Sequence, residues 1–408
     1  MRFLHLADLH FGKSLHGVSL LENGDQGDWV DRFLELAADL RPDAILIAGD
    51  VYDRSAPSGE AVALLSRMLT ALAGMGIPVL LTAGNHDSAQ RLAFAAELLA
   101  QQGVYLAPPL VPPGVLRHVT LYDACGPVTF WLLPYVYPAL ISQALGMDGL
   151  RESDGAVRAL LARQDVDTAG RNVLLAHQNV TASGVAGQRG GSESMVGGVG
   201  QIDYTAFDAF DYVALGHIHA AYPVGRESVR YAGSPLCYHF DETRQPVKGP
   251  LLVELGEKGT PVRVETLHIP PLHPLRELRG SYAEVCAELT RDSRRGEYLR
   301  VVLTDRRVTP EISAFLRSQA EGRESILMEL VSEYRAFTGE AGALSSSAVE
   351  QKSVEELFAD FYAERRGEPL SEEDAALLSF AGRTLEETGA ERAAERLLDY
   401  LLRQEGRA

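Results

Sequence analysis

The stretch YVALGHIHAAY, residues 212–222, shows how the fold and the chemistry of this chain are joined. Its opening letters form a short apolar run, which predicts a buried strand. The run ends at Gly216, and His217 and His219 follow with one residue between them. In an extended chain, residues i and i+2 point to the same face. The pair could therefore bind one metal ion, contribute to two ions, or be two ordinary histidines at a strand end.

Five more apolar runs precede this one in the first 270 residues. They are RFLHLAD (2–8), DAILIAGD (43–50), PVLLTAGNHD (78–87), VTFWLLPY (128–135) and NVLLAHQ (172–178). Such continuous apolarity is typical of strands buried on both faces between helices. Helical patterns at 29–40 and 60–73 separate some of the runs. The alternation predicts an α/β layered domain, with β-sheets flanked by helices.

Residue types that bind metals end five of the six runs. Because ligands of α/β sheets collect at the carboxyl ends of the strands, we expect the five ends to share one rim. The candidate ligands are Asp8, His10, Asp50, Asn85, His177, His217 and His219. A set with carboxylate, amide and imidazole but no cysteine suits Mn, Fe, Zn or Mg. Seven ligands suit two ions that share a carboxylate, an arrangement used for in-line displacement at phosphorus.

Composition limits the classes of function. A chain of 408 residues is long enough for two or three domains. Its formal net charge of −18 excludes tight binding of a polyanion through bulk electrostatics, so local cations or a partner would be needed. Three scattered cysteines indicate a reducing cytoplasm, and no apolar stretch has the length of a membrane span. The chain carries no GxxxxGK[ST] motif, so any ATP would be bound elsewhere.

The remaining third of the chain divides by composition. A boundary at Pro270–Pro271 ends the first domain, 1–270, and a small mixed unit with many arginines covers 271–342. The stretch AGALSSSA, 341–348, is a linker by composition. A helical tail, 349–408, begins with a capping box at Ser353 and carries an apolar stripe. That stripe is expected to dock on the protein's own surface or on a partner.

The motifs DLH, GDVYD, GNHD, the lone His177 and GHIH, in this order, resemble the calcineurin-like metallophosphoesterases. This resemblance implies one ion bound by Asp8, His10, Asp50 and His219, and another bound by Asp50, Asn85, His177 and His217. It implies that Asp50 bridges the ions, and that His86 stabilises the transition state or protonates the leaving oxygen. Asp53 stands where related phosphatases place a carboxylate that orients this histidine; an exposed loop aspartate is the alternative.

Three further features are similar to SbcD-type nuclease subunits. They are YAGSPLCYHFDE (231–242), the unit at 271–342, and SVEELFADFYAERRGEPL (353–370). The resemblance implies 3'–5' exonuclease activity on DNA double-strand ends and endonuclease activity on single strands and hairpins, in DNA repair, replication and recombination. It implies Mn²⁺, with Mg²⁺ or another divalent ion as alternatives.

The same resemblance implies partners. The helices of 349–408 would bind an SMC-like ATPase subunit, SbcC, and the unit at 271–342 would contact DNA unless its arginines are a solvated face. A homodimer within a heterotetramer, associated with the nucleoid in the cytoplasm, is expected.

Two other functions stay open at this point. One is a small-nucleotide or protein phosphoesterase of the same fold, which gives no reason for the unit at 271–342 or the tail. The other is a non-catalytic scaffold, which gives no reason for a complete ligand set. The loops 11–29 and 181–200 leave the predicted rim, where they could contact substrate or simply be flexible.

Overall fold

The computed structural model describes residues 1–182, 200–244, 247–291 and 293–334, and also Tyr362, Ser371, Asp374 and Ala375. The chain divides into two compact units, Met1–Tyr334 and Arg335–Ala408. The linker 341–348 and nearly all of the tail 349–408 lie outside the described residues, as does most of the loop 181–200. The predicted domain limits at 270 and 342 therefore stay predictions.

The strands of the described residues follow in chain order. They are β1 (Arg2–Leu6), β2 (Ser14–Leu15), β3 (Val18–Ser19), β4 (Ala44–Ala48), β5 (Val79–Thr82), β6 (Val104–Leu106), β7 (Arg117–Asp123), β8 (Gly126–Leu133), β9 (Arg171–His177), β10 (Val180–Thr181), β11 (Ile202–Asp203), β12 (Tyr212–Gly216), β13 (Tyr222–Val224), β14 (Arg226–Tyr231), β15 (Leu251–Glu254), β16 (Arg263–Thr266), β17 (Leu275–Gly280), β18 (Tyr298–Leu303) and β19 (Ile326–Ser332).

Helices cover the remaining regular structure. They are α1 (Asp25–Leu40), α2 (Gly59–Gly74), α3 (Ala89–Leu92), α4 (Ala96–Ala100), α5 (Pro138–Leu145), α6 (Ser153–Ala162), α7 (Tyr282–Arg291) and α8 (Pro310–Glu321), with 3-10 turns at Tyr204–Phe207 and Phe240–Arg244. Local sequence explains their starts: Ser58 caps α2 through its side chain, and Thr309 caps α8. Across the described residues, no helix combines the length and apolarity that crossing a bilayer requires.

Two six-stranded sheets form the larger part of the first unit. Their strand orders are β16-β15-β1-β4-β5-β6 and β13-β14-β12-β9-β8-β7. The central strands β1, β4 and β5 run parallel, and so do β8, β9 and β12. All six apolar runs form strands at the centre of these sheets, which brings the carboxyl ends of five of them to one edge.

The sheets pack face to face, and helices cover the outer face of each. Phe3 of the first sheet contacts the rings of Phe130 and Tyr212 of the second, at centroid distances of 5.8 and 5.6 Å. Helices α1 and α2 share a buried cluster with the outer face of the first sheet, and α5 and α6 with that of the second. The expectation of helices on both faces therefore holds for one face of each sheet. An apolar face does not reveal whether a helix or a sheet covers it.

Residues 271–334, called the cap below, form a smaller layer. Its parallel sheet, β17-β18-β19, is covered on one face by α7 and α8. Tyr298 belongs instead to the core cluster of the larger part, and its hydroxyl donates to Asp25 Oδ2 at 2.5 Å. His273 Nδ1 lies 2.9 Å from the other oxygen of this buried aspartate. The cap is thus tied to the start of α1.

Candidate metal centre

The five strand ends that carry predicted ligands meet between the two sheets. Three groups there could each bind a metal ion, because their donor atoms lie within 4.8 Å of one another. The groups are Asp8–His10–His219, His10–Asp50–His86 and Asp8–Asp50–His177. Asn85 Oδ1 lies 3.1 Å from both His177 Nε2 and His217 Nδ1. The structure therefore brings all seven predicted ligands and His86 to one place.

Close approach of the sheets depends on two glycines. A Cβ atom on Gly216 would lie 1.9 Å from the carbonyl oxygen of Ala48, in the opposite sheet. A Cβ atom on Gly84 would lie 2.1 Å from Asp50 Oδ1. Both contacts are far inside van der Waals distance, and neither neighbour belongs to a long flexible side chain. Glycine at these two strand ends lets the ligand-bearing loops meet.

Backbone strain is concentrated at the same place. Asp8, His10, Asp50 and His217 have positive φ angles of 54°, 43°, 46° and 106°, and they are four of the eight such non-glycine residues among those described. L side chains rarely adopt this region, at a cost of about 1–3 kcal/mol per residue. The surrounding structure must hold these four residues in conformations that their sequence does not favour.

One side of the centre contains Asp8, His10 and His219, all buried. The Nε2 atoms of the two imidazoles face each other at 3.2 Å. Asp8 Oδ1 accepts a hydrogen bond from the backbone N–H of His217 at 3.0 Å, which fixes the carboxylate beneath the turn.

The other side contains Asn85, His177 and His217. His177 Nδ1 donates to the carbonyl oxygen of Ala48 at 2.8 Å, so Nε2 is the ring nitrogen that faces the centre. This nitrogen lies near two oxygen acceptors, Asn85 Oδ1 at 3.1 Å and Asp50 Oδ2 at 3.3 Å. The two neighbouring histidines of GHIH therefore point to different partners, His217 to Asn85 and His219 to His10.

Asp50 lies between the two sides. Its Oδ2 is 3.3 Å from His177 Nε2 and 3.7 Å from His10 Nε2. Its Oδ1 accepts from the backbone N–H of His86 at 2.9 Å, so one oxygen is anchored while the other faces both sides. This is the position that a bridging carboxylate needs.

The donor set fits divalent cations. Lone pairs of carboxylate oxygens, an amide oxygen and imidazole nitrogens point to one place, and too few N–H groups lie there to donate a hydrogen bond to each. A bound cation would stabilise all of these lone pairs together. His10 Nε2 shows this convergence, since it lies 3.2 Å from His219 Nε2 and 3.7 Å from Asp50 Oδ2. Mixed oxygen and nitrogen donors at such distances are what a hard or borderline divalent metal binds.

The electrostatics of the aspartates point the same way. Burial raises the pKa of Asp8 to about 6, although the nearby His177 and His219 oppose the rise. Burial also disfavours the charged form of Asp50, but His177 and His10 outweigh it and hold the pKa of this carboxyl far below its ordinary range. Burial opposes protonation of His177, yet the carboxylates of Asp50 and Asp8 raise its pKa to about 9. A proton on His177 thus takes the place of a cation beside Asp50.

The imidazoles of His217 and His10 stay neutral, as metal ligands must be. Burial lowers the pKa of His217 to about 3 and that of His10 to about 4. Neither ring then has to lose a proton at neutral pH before it can bind a metal.

The contact between Asp53 and His86 differs from the expected one. His86 Nδ1 lies 2.9 Å from the backbone carbonyl oxygen of Asp53, not from its carboxylate. The carboxylate instead accepts from Lys13 Nζ at 2.9 Å and lies 3.5 Å from His10 Nδ1. Burial opposes its ionisation, but His10 and Lys13 lower the pKa of Asp53 to about 2. Asp53 is therefore not an exposed loop residue: its carbonyl oxygen contacts His86 and its carboxylate faces His10 and Lys13.

The sequence analysis assigns no function to two further residues of the site, Asp87 and Glu242. Asp87 accepts from the backbone N–H groups of Val51, Tyr52 and Gly84, and so fastens the GDVYD loop to the GNHD loop. Glu242 lies behind His219, with Oε1 3.1 Å from its Nδ1. Asp87 closes the quoted GNHD motif and Glu242 closes YAGSPLCYHFDE. An acid that ends such a motif is the only signal the sequence offers for either.

The loop 11–29 meets the rim through Lys13 and through Gln26, whose side-chain amide donates to the carbonyl oxygen of His10 at 2.8 Å. His16 is exposed, packs near Phe240 and lies 3.9 Å from Glu329 of the cap. Of the loop 181–200, residues 183–199 lie outside the described residues.

Comparison with known proteins identifies the family. Residues 1–221 match the family model described as calcineurin-like phosphoesterase, and 271–366 match the model described as Type 5 capsule protein repressor C-terminal domain, SbcD_C. The chain is 32% identical over 308 residues to the D subunit of the nuclease SbcCD from Staphylococcus saprophyticus subsp. saprophyticus, covering 74% of this chain and 78% of that protein. The chain belongs to the SbcD nuclease family of calcineurin-like phosphoesterases.

A solved structure is also similar to this SbcD-type nuclease. It is TT1561 of Thermus thermophilus, at 15% identity and a TM-score of 0.34, covering 57% of this chain and 89% of that chain. The family matches confirm the predicted resemblance, the α/β phosphoesterase fold, the nuclease function and the use of divalent metal. The role of each site residue, the metal, the substrate and the partners stay proposals.

Proposed function

We propose that this SbcD-type nuclease hydrolyses DNA phosphodiester bonds with two divalent ions. One would be bound by Asp8, His10, Asp50 and His219, and the other by Asp50, Asn85, His177 and His217. Mn²⁺ is the proposed ion, because it accepts mixed oxygen and imidazole ligands. When bound, the ions would orient the phosphate, stabilise charge on its oxygens and lower the pKa of the attacking water. The position of Asp50, with one oxygen facing imidazoles of both sides, is the observation that carries the proposal.

His86 has the geometry of a proton donor or charge stabiliser. Its Nδ1 is engaged by the carbonyl oxygen of Asp53, and its Nε2 lies 4.0 Å from Asp50 Oδ2 at the mouth of the site. The side chain is 41% exposed, unlike the buried rings behind it, so a substrate oxygen can reach it. Its proposed role is to protonate the leaving oxygen or stabilise charge on it, while the carbonyl oxygen of Asp53 fixes the orientation of the ring.

A cleavage assay tests the proposal. Full-length protein, Mn²⁺ and a labelled DNA duplex are incubated with and without an SMC-like ATPase partner. His86→Ala should cut DNA about 10²–10⁴-fold more slowly while both ions stay bound. His118→Ala is the control, since this exposed histidine lies on β7. Unchanged cleavage by His86→Ala, or loss of its metal, would contradict the assigned role.

The labels also test the type of cleavage. We propose 3'–5' degradation of duplex ends and endonucleolytic cuts in single strands and hairpins, so 5'- and 3'-labelled duplexes and a hairpin should give different product ladders. A small-nucleotide or protein phosphoesterase is the second candidate. Rapid hydrolysis of cyclic dinucleotides or phosphoproteins, together with intact DNA, would favour it.

The ATPase contact is proposed for the tail 349–408, which lies outside the described residues. Deleting 349–408 should abolish co-purification with an SbcC-type ATPase and leave Mn²⁺ binding unchanged. If co-purification persists, the apolar stripe of the tail docks on the protein itself. We also propose the domain limits 1–270, 271–342 and 349–408, DNA contact by the cap, and association with the nucleoid.

Homodimerisation is proposed through the surface of α2, α3 and α4. Three large apolar side chains are exposed there, Val62 at 45%, Phe94 at 81% and Leu98 at 65%. Grouped apolar side chains on a surface are typical of an interface. Phe94→Asp should shift the sedimentation coefficient towards the monomer, whereas Tyr122→Asp, at an equally exposed aromatic on β7, should not. A dimer that survives Phe94→Asp places the interface elsewhere.

A further inference from the structure

The sequence GSPLCYHFDE, residues 233–242, forms a segment that lies directly behind His219; it is called the support segment below. Gly233 has a φ of +74°, and a Cβ atom there would lie 2.9 Å from the carbonyl oxygen of His219. The backbone N–H of Ser234 donates to the same carbonyl at 3.1 Å. The start of the support segment therefore packs against the backbone of this histidine with no room for a side chain.

Glu242 at the other end of the segment reaches the histidine ring. Its side chain is buried, and Oε1 lies 3.1 Å from His219 Nδ1. A carboxylate that accepts at Nδ1 keeps the proton on that nitrogen, so the lone pair of Nε2 faces the centre. The ring is thereby set in the one tautomer and direction that suit a ligand.

Glu242 is itself held from several directions. Lys248 Nζ donates to Oε2 at 2.7 Å, and the Ser234 hydroxyl lies 3.3 Å from the same oxygen. The backbone N–H of Tyr238 also donates to it, at 3.2 Å. Lys248 Nζ is in addition 2.9 Å from the carbonyl oxygen of His219. The network leaves the carboxylate little freedom to turn away from the ring.

Tyr238 extends this support to the second histidine of the same side. Its hydroxyl donates to the carbonyl oxygen of Leu9 at 2.6 Å, between Asp8 and His10. Its ring meets the edges of His10 and His219 at centroid distances of 5.3 and 5.4 Å. On the opposite side, His177 is oriented by Ala48 instead.

We propose that Glu242, together with Tyr238 and Lys248, positions the ligands of one metal ion only, the ion of Asp8, His10 and His219. Glu242 is a positioning residue, since it acts through His219. The proposal rests on the two-ion assignment proposed above. It gives the support segment a function: the segment orients the ligands of one half of the centre before the metal binds.

Mn²⁺ titration of the full-length protein tests the proposal, by calorimetry and by electron paramagnetic resonance of bound Mn²⁺. The variants are Glu242→Gln and a matched control, Glu297→Gln, at a buried glutamate of the cap that pairs with Arg276. Glu242→Gln should bind one ion as wild type does and the other about 10–100-fold more weakly. Tyr238→Phe should weaken the same ion by a smaller factor. Glu297→Gln should bind both ions normally.

Hydrolysis of bis(p-nitrophenyl) phosphate gives a second measurement that a general loss of structure would not mimic. With Glu242→Gln, the Mn²⁺ concentration for half-maximal rate should rise by the same factor, and excess Mn²⁺ should restore the wild-type kcat.

Three results separate the possibilities. Equal affinity for both ions in Glu242→Gln and wild type, or equal loss of both ions, would overturn the proposal. A wild-type protein that binds fewer than two ions would overturn it together with the ligand assignment. If Glu242→Gln loses one ion selectively but the wild-type protein does not cleave DNA, the positioning role is supported and the proposed DNA nuclease function is contradicted.

Discussion

The metal centre and the cap both contain many charged groups, but they differ in how those charges are neutralised. In the centre, Asp8 and Asp50 are buried and face imidazoles, with no lysine or arginine among the candidate ligands to neutralise them. The sequence of the cap, 271–334, contains ten arginines and eleven acidic residues, so its formal charge is −1. The negative charge of the centre would be neutralised by a bound cation, whereas most charge in the cap is neutralised by ion pairs within the cap.

The ion pairs of the cap show this neutralisation in detail. Arg300 lies 3.4 Å from Glu277 and 2.9 Å from Glu329, and Arg279 pairs with Glu333. Arg295 and Arg307 differ, because both are exposed and neither forms an ion pair with another described residue. An arginine count is therefore a poor measure of attraction to DNA, and only a few arginines are available for phosphate.

The largest effect should come from the carboxylate between the two halves of the centre. Asp50→Asn removes the charge shared by both sides, so both ions should be lost and phosphodiester hydrolysis should fall at least about 10³-fold. Elemental analysis of the purified protein measures the ions. Asp305→Asn, at an exposed ion pair of the cap with Arg306, is the matched control and should change neither quantity. Retention of one tightly bound ion in Asp50→Asn would rule out a shared carboxylate.

A glycine substitution tests how tightly the centre is built. Gly216→Ala would bring a Cβ atom to 1.9 Å from a backbone oxygen, so the sheets must separate, at a cost of about 3 kcal/mol in the free energy of unfolding. Gly280→Ala in the cap would meet only the carboxylate end of the flexible Glu284, and should cost less than about 1 kcal/mol. Urea denaturation of both variants gives the comparison. Equal costs would mean that the two regions are packed alike.

DNA binding should separate the free and the paired arginines of the cap. Arg295→Ala or Arg307→Ala should each reduce the slope of log Kd against log salt by about 1 if the side chain contacts a phosphate. Arg300→Ala should leave the slope unchanged, since its charge already faces two glutamates. Fluorescence anisotropy at several salt concentrations measures the slope. A larger effect from Arg300→Ala would show that DNA displaces the internal ion pairs.

The smallest effect concerns acid stability in protein stripped of metal. The folded pKa of Asp53, about 2, lies below its unfolded value. Its stabilisation is therefore present above pH about 4 and is lost as the pH falls towards 2. Asp53→Asn should flatten that part of the stability curve by about 1 kcal/mol, as followed by circular dichroism. Asp305→Asn should flatten the curve less: Arg306 lowers the pKa of this carboxyl as well, but solvent screens that ion pair.

Much of the fold follows from local patterns in the sequence. The six apolar runs form strands, as their short length and continuous apolarity predict for segments buried on both faces. The cap elements follow their periodicities as well, from LRELRG at β17 to SILMELVS at β19. The pairing of two sheets face to face was not predictable, because the apolar faces of β1 and β8 carry no mark of what covers them.

The candidate ligands were visible for a chemical reason: aspartate, asparagine and histidine directly after buried strands are costly unless they have a use. Their supports were less visible. Lys248 lies outside every motif, six residues after Glu242, and Asp53 contacts His86 through a carbonyl group that every residue has. Such contacts depend on backbone position, which residue type does not encode.

The sequence by itself determined the strands, the ligand types and their order along the chain, because these depend on local periodicity and on side-chain chemistry. The tertiary structure decided which ligands face each other. It separates His217 from His219, sets Asp50 between two groups of imidazoles, and holds four ligand-bearing residues at positive φ. The physical reason is that burial and close packing of two sheets supply the energy for strained, desolvated positions that no local stretch of chain would adopt alone.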